Sequence, residues 1–205
     1  MVPLDIIVER CAPEVPAILM RALVRAESAW QPLAIGIDGG RRAVVQPKTL
    51  EEAVATATRL STQGLGFSVG LAQIHATNVR LYGLSWVDAF DPCRNLAVGQ
   101  KILWNFYHRA SASGYEGSAI LWAALRGYNS GNVDRAISDD YASRVFAYMS
   151  SSPLAMAPAT GLDSAARRSL GMPRSSGAGP GSVPAPPRAD EAVDIFHRPA
   201  QRIGF

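Results

Sequence analysis

Apolar residues recur at helical spacing through PEVPAILMRALVRAES, residues 13–28, placing Ile18, Leu19, Ala22, Leu23 and Ala26 on one stripe. Pro32 disfavours helix at Gln31, so this helix ends close to Glu27. Beyond it, PLAIGIDGGRRAVVQP carries two short apolar runs on either side of Asp38-Gly39-Gly40, the pattern of a β-hairpin. Thr49, followed three residues later by Glu52, forms a capping box for a helix that reaches about Ser61 and stops near Gly64. GFSVGLAQIHATNVRLYGL reads as a glycine-bounded turn leading into a short helix. Ser85 and Asp88 cap a brief turn, and Asp91-Pro92 supplies an N-cap and first-turn proline for a helix ending at Gly114. Two further helices, about 116–127 and 138–149, flank the turn-rich GYNSGN. The pattern predicts five or six helices and one small hairpin: an α+β domain, mainly α.

Composition then divides the chain. All four tryptophans and all six tyrosines precede residue 150, whereas eight of the fourteen prolines follow it. A Pro/Gly/Ser-rich segment of that kind buries too little apolar surface to offset its ordering entropy. Residues 1–150 are therefore expected to form the folded domain and 151–205 a low-complexity, disordered tail. The net charge of +3 is too small to imply a nucleic-acid partner, and suits an anionic cell-wall or membrane-surface setting. The tail holds six arginines and four acids with no aromatic interleaving for base stacking. No apolar run approaches a membrane span: VPAILMRALV is interrupted by Arg21. MVPLDIIVERCAP does not resemble a signal peptide, because Asp5, Glu9 and Arg10 break it.

Two cysteines and three scattered histidines do not compose a zinc site. Cys11 and Cys93 are either separate buried thiols or one disulfide, and a bridge closing a loop of roughly 80 residues would contribute about 4 kcal/mol. Glu27 has more chemical interest. It lies four residues after Leu23 and eight after Leu19, at the margin of the buried stripe and near the negative end of the helix dipole. Both surroundings oppose ionisation, so the position suits a carboxyl that holds its proton near neutrality. A solvated glutamate on a helix flank is the plain alternative. Gln73 in GLAQIH, Tyr128 and Asn129 in GYNSGN, and Tyr141 in YASRV add amides, hydroxyls and aromatic faces, the groups a sugar-binding groove needs. Taken singly, turn and core roles account for each of them.

Taken together, Glu27-Ser28, Gly70-Leu71-Ala72-Gln73, Tyr128-Asn129-Ser130-Gly131 and Tyr141 resemble, in order and approximate spacing, the motifs of the soluble lytic transglycosylase (SLT) domain, a relative of goose-type lysozyme. ESAWQPLAIGIDGG and AFDPCRNL resemble the VirB-type branch of type IV secretion and conjugation systems. The resemblance covers about residues 3–149 and implies a lysozyme-like domain acting on peptidoglycan glycan strands. It implies Glu27 as the single catalytic acid, with Ser28, Gln73, Tyr128, Asn129 and Tyr141 as substrate contacts. The reaction it implies forms a 1,6-anhydro end and needs neither metal nor organic cofactor. A peptidoglycan substrate in turn makes the periplasm the expected place of action, and the tail, which the resemblance leaves out, is available to secretion components. Two positions depart from the family pattern: Gly127 stands where alanine is common, and His75 where asparagine is usual. A hydrolytic lysozyme and a non-catalytic wall-binding module are the competing readings.

Overall fold

The structure, a computed structural model, describes residues 4–39 and 45–151. The expected tail lies outside the described residues apart from Ser151, as do residues 40–44 of the expected hairpin's far arm. In chain order the described elements are α1 (Leu4–Cys11), α2 (Ala17–Ser28), β1 (Ile35–Ile37), α3 (Leu50–Thr62), β2 (Phe67–Val69) and β3 (Ile74–His75). There follow α4 (Ala76–Leu81), α5 (Trp86–Phe90), α6 (Pro92–Ala112), α7 (Ser118–Ser130), a 3-10 turn (Ala136–Ser138) and α8 (Asp139–Ser150). The mainly helical α+β architecture is the one expected. The core runs through α2, α6, α7 and α8, where α6 packs along α7 and α2 along α8. On α2 the most deeply buried side chains are Leu19, Met20, Leu23 and Val24, so the buried face is turned slightly from the stripe read in the sequence.

Capping chemistry sets most helix starts. Thr49 accepts the Glu52 N–H at 3.2 Å, but the Glu52 carboxylate accepts from Lys48 N at 2.7 Å, one residue before the position of an ideal box. Ser85 and Asp88 form a complete capping box on α5. Asp91 accepts the Arg94 N–H at 2.8 Å, with Pro92 opening α6. The sequence pattern does not predict α1, because its buried side chains, Ile7, Val8 and Cys11, are too few to declare a period. Cys11 at its end is joined to Cys93 in the first turn of α6, with Cα atoms 4.9 Å apart. The bridged alternative therefore holds.

With residues 40–44 of the expected local hairpin outside the described residues, the pairing described for β1 is with a strand further along the chain. β1 pairs antiparallel with β2, Ile35 opposite Val69 and Ile37 opposite Phe67. β2 then pairs with β3 across the turn Gly70–Gln73. The amide of Gln46 closes on both the N–H and the carbonyl of Ile35, at 3.0 and 2.9 Å, as a strand partner would. GFSVGLAQIH is thus a true hairpin followed by α4, where the sequence reading had only a turn. Strands of three and two residues are too short to show alternation.

One buried amide holds this hairpin on the helices. Asn95 of α6 is fully buried, accepts the Ala72 N–H at 2.7 Å, and donates to the Val69 and Ala89 carbonyls at 3.0 and 2.8 Å. Gly70, at φ +79°, leaves room for that amide: a Cβ there would overlap it and lie 2.9 Å from the Ala89 carbonyl. Asn95→Leu keeps comparable volume and abandons three backbone groups, each costing about 1–3 kcal/mol when left unpaired. A loss of about 3 kcal/mol is expected in denaturant unfolding. A loss below the scatter of repeated melts would show that the hairpin does not depend on this residue.

Candidate active site

Glu27 occupies the last turn of α2, which ends because Ala29 and Trp30 both adopt left-handed backbone, at φ 49° and 67°. Among the described residues the remaining non-glycine with positive φ is Gln73, at 45°. Backbone of this kind costs of order 1–3 kcal/mol per residue and gathers at functional sites. Here it flanks one proposed site residue and forms another.

The Glu27 carboxyl accepts a hydrogen bond of 2.6 Å from the Tyr141 hydroxyl of α8. Burial drives its pKa up from 4.5 to about 7, outweighing the lowering effects of the Tyr141 bond and the nearby Arg144 charge. The acid accordingly carries its proton for much of the time at neutrality, and the residue opens onto a cleft of about 1040 Å³. The buried hydroxyls of Tyr128 and Tyr141 are in turn pushed well above 10, by burial first and the Glu27 charge second. Both stay protonated donors at neutral pH.

Glu27, Gln73, Tyr128 and Asn129 all line that cleft. Gln73 donates its amide hydrogens to the Ala34 and Gly70 carbonyls, at 3.2 and 2.9 Å, which leaves Oε1 as its remaining polar atom. Tyr128 donates to the Ala72 carbonyl at 2.7 Å, tying α7 to the Gly70–Gln73 turn. Asn129 is exposed in the cleft. Tyr141 is buried behind Glu27 and outside the lining. Ser28 is also buried outside it, its hydroxyl donating to the Val24 carbonyl one turn back at 3.2 Å. A second hollow of about 700 Å³, lined by Ile37, Lys48 and Leu60 among others, contains none of these residues.

The structure gives both departures from the family pattern a physical reason. An alanine at Gly127 would drive its Cβ into the Phe106 ring, which packs against α7 and reaches the cleft wall. The composition of GYNSGN predicts a turn, yet Gly127 to Ser130 complete the last turn of α7, which closes at Gly131 with φ +78°. His75 accepts the Thr77 N–H through Nδ1 at 3.3 Å, capping α4 as an asparagine could, and its Nε2 also reaches Asp38 Oδ2 at 3.1 Å. Asp38, a turn residue in the sequence pattern, faces the cleft and is, among the described residues, the only carboxylate besides Glu27 in its lining.

Asp38 with His75, Phe106, Arg135, Ile137 and Ser138 are among the cleft residues that the sequence pattern does not place there, and Asn95 supports the hairpin from behind. Asn95 left a trace: it shares a face with Gly99, Ile102 and Leu103, a polar position within an apolar stripe.

Removing the Tyr141 hydroxyl tests the electrostatics. Its bond stabilises the ionised form of Glu27, so Tyr141→Phe should raise that pKa further. If the protonated acid is the working form, the alkaline limb of the pH–rate profile moves up by about one unit. A profile unmoved or shifted to acid would contradict the hydrogen bond's influence on Glu27.

A family model described as the transglycosylase SLT domain matches residues 6–147. The type IV secretion system protein virB1 of Brucella suis biovar 1 (strain 1330) is 40% identical over 167 residues, covering 77% of this chain and 69% of that protein. Its counterpart in Brucella abortus biovar 1 (strain 9-941) is 44% identical over 134 residues, 64% of this chain and 56% of that protein. Protein virB1 of Agrobacterium fabrum (strain C58 / ATCC 33970) is 26% identical over 135 residues, covering 66% of this chain and 54% of that protein. The matched region thus spans little more than half the length of the last two. No solved structure matches.

Proposed function

The chain belongs to the transglycosylase SLT family, as a lytic transglycosylase of the VirB1 type, and on that footing we propose that it cleaves the β-1,4 bond between N-acetylmuramic acid and N-acetylglucosamine in peptidoglycan, opening the wall locally for a type IV secretion or conjugation apparatus. The observation that carries this reading is a carboxyl raised to about 7, bonded to Tyr141, at the wall of a cleft that also gathers Gln73, Tyr128 and Asn129.

The chemistry needs one group used twice. Protonated Glu27 donates to the glycosidic oxygen, and the bond from the muramic C1 to that oxygen breaks, its electron pair leaving with the oxygen as the hydroxyl of N-acetylglucosamine. The carbonyl oxygen of the muramic N-acetyl group bonds to C1 and takes up the positive charge, as in substrate-assisted glycosidases. Ionised Glu27 then removes the proton of the C6 hydroxyl. The C6 oxygen bonds to C1 and displaces the acetyl oxygen, closing the 1,6-anhydro ring. Glu27 regains its proton and no water is consumed. A pKa close to working pH serves both halves of the cycle.

Gln73 and Asn129 are proposed to orient the sugars, Tyr128 to fix the turn bearing Gln73, and Tyr141 to tune Glu27. Contact between Ser28 and substrate would require its hydroxyl to leave the Val24 carbonyl. Peptidoglycan as substrate places the activity in the periplasm, and no helix among the described residues is long and apolar enough to cross a membrane. Residues 151–205 are proposed to engage secretion components.

Asp38 supports a second reading. A second carboxylate in the cleft is what a hydrolytic, lysozyme-type reaction would use to direct water, although here it is paired with His75. Digestion of isolated sacculi by the full chain, followed by mass spectrometry, separates the two. Anhydro ends, one water lighter than reducing ends, are expected; reducing ends alone would transfer the conclusion to hydrolysis.

A further inference from the structure

Two helices bring groups to Glu27. α7 carries Tyr128 and Asn129 at its C-terminal end, and α8 carries Tyr141 and Arg144 near its start. The segment between them supplies Arg135, Ile137 and Ser138 to the cleft wall. Where it enters α8, the usual device is missing: Ser138, at the N-cap position, makes no side-chain hydrogen bond to the helix. A helix start without a cap frays.

What holds this one lies sideways. Asp139, the first residue of α8, accepts the Trp122 indole N–H at 2.7 Å and the Arg126 Nε–H at 2.5 Å on one oxygen. Its other oxygen accepts from Arg126 Nη2 at 2.9 Å. Both donors belong to α7. The Arg126 side chain is 16% and that of Asp139 37% exposed, so the pair is partly screened by solvent and its weight lies in its geometry. A bidentate guanidinium–carboxylate pair also fixes the relative orientation of its two carriers. At its opposite end α8 is anchored by the Arg25 guanidinium over the Tyr148 ring, 4.2 Å from the centroid. Tyr141 follows Asp139 by two residues, within the first turn.

We propose that Arg126 and Asp139 clamp the first turn of α8 to α7 and so present the Tyr141 hydroxyl to Glu27, making them positioning residues that set the pH range of the acid. The inference rests on the reading of Glu27 as proton donor. The titratable groups acting on Glu27 are Tyr141 and Arg144 from α8 and Tyr128 from α7, and Asp38, His75 and Arg135 line the same cleft. Those around the clamp are Arg126 itself and, beside it, Tyr115, which donates to Asp134 at 2.8 Å. The Tyr141 bond favours the ionised form of Glu27 more than the Arg144 charge does, and Arg144 lies beyond the first turn, so slackening that turn raises the proton affinity of Glu27 through the tyrosine.

The test is a set of pH–rate profiles for glycan release from sacculi by the full chain. It compares the wild type, Asp139→Asn, Arg126→Lys, Tyr141→Phe and the double variant Asp139→Asn with Tyr141→Phe. Each clamp variant is expected to move the alkaline limb up by about 0.5 to 1 pH unit. The double variant should match Tyr141→Phe alone, because the tyrosine is the route of the effect. Clamp variants that melt earlier but keep the wild-type limb would overturn the proposal, as would shifts that add in the double variant. If Asp139→Asn does not fold, Arg126→Lys, which keeps the charge and loses the fork, carries the same test against Tyr141→Phe. An active variant with an unmoved limb removes the clamp alone. A wild-type chain that releases no glycan fragments removes the Glu27 reading and the clamp with it.

Discussion

Glu27→Gln should lower glycan release from sacculi by about 10²–10⁴-fold, the contribution of a positioned general acid–base group. The amide has nearly the same shape and can still accept from Tyr141, so the cleft should persist while the acidic proton is gone. The same substitution should stabilise the fold in a pH-dependent way, and the sign follows from linkage. The native pKa of Glu27, about 7, lies above the unbound reference of 4.5. Between those values the native state holds a proton that the unfolded chain has released, so native stability falls as pH rises. The loss is complete above about 7 and approaches roughly 3 kcal/mol at 1.36 kcal/mol per unit. Glutamine does not titrate. The variant should therefore melt above the wild type at pH 8 and close to it at pH 4.5. Equal lysis by both proteins would remove the enzymatic reading in favour of a binding module. Equal melting at pH 8 would mean that Glu27 does not pay for its burial.

Loss of the Cys11–Cys93 bridge is the second large effect. The bridge spans a sequence separation of 82 and ties α1 to the first turn of α6, the helix that also carries Asn95. In the chain-entropy account its removal costs about 4 kcal/mol. For a domain of this size that corresponds to a fall of about 10 °C in Tm. Cys93→Ser, or reductant on the wild type, should give the same fall, and reductant should do nothing further to the variant. A wild-type melt indifferent to reductant would mean that the two sulfurs are not joined in the protein as it folds. Bonds of this kind persist in oxidising compartments, which agrees with the proposed periplasmic setting.

Both effects illuminate how unevenly the sequence can be read. Glu27 was legible because helix periodicity and Pro32 place it without reference to any distant residue. The starts of α5 and α6 were legible for the same reason, since Ser85, Asp88 and Asp91 cap helices within three residues of themselves. The β2–β3 hairpin was not: its strands are too short to carry a period, and the side chain that hydrogen-bonds it to the helices, Asn95, is more than twenty residues away along the chain. GYNSGN misled as a turn because glycine is conformationally permissive in isolation. Only the Phe106 ring against Gly127 explains a glycine inside the last turn of α7.

By itself, then, the chain determined its helical character, the position of its acid at a helix end, and the set of amides and tyrosines available for a glycan. Those properties depend on dihedral preference, capping and spacing, which act over a few residues. Tertiary structure alone decided that Tyr141 meets Glu27 across 114 positions, that Asp38 turns toward the cleft beside His75, and that Cys11 finds Cys93. Proton affinity, pairing of strands and pairing of sulfurs depend on which distant groups exclude water together, and that is fixed only when the helices pack.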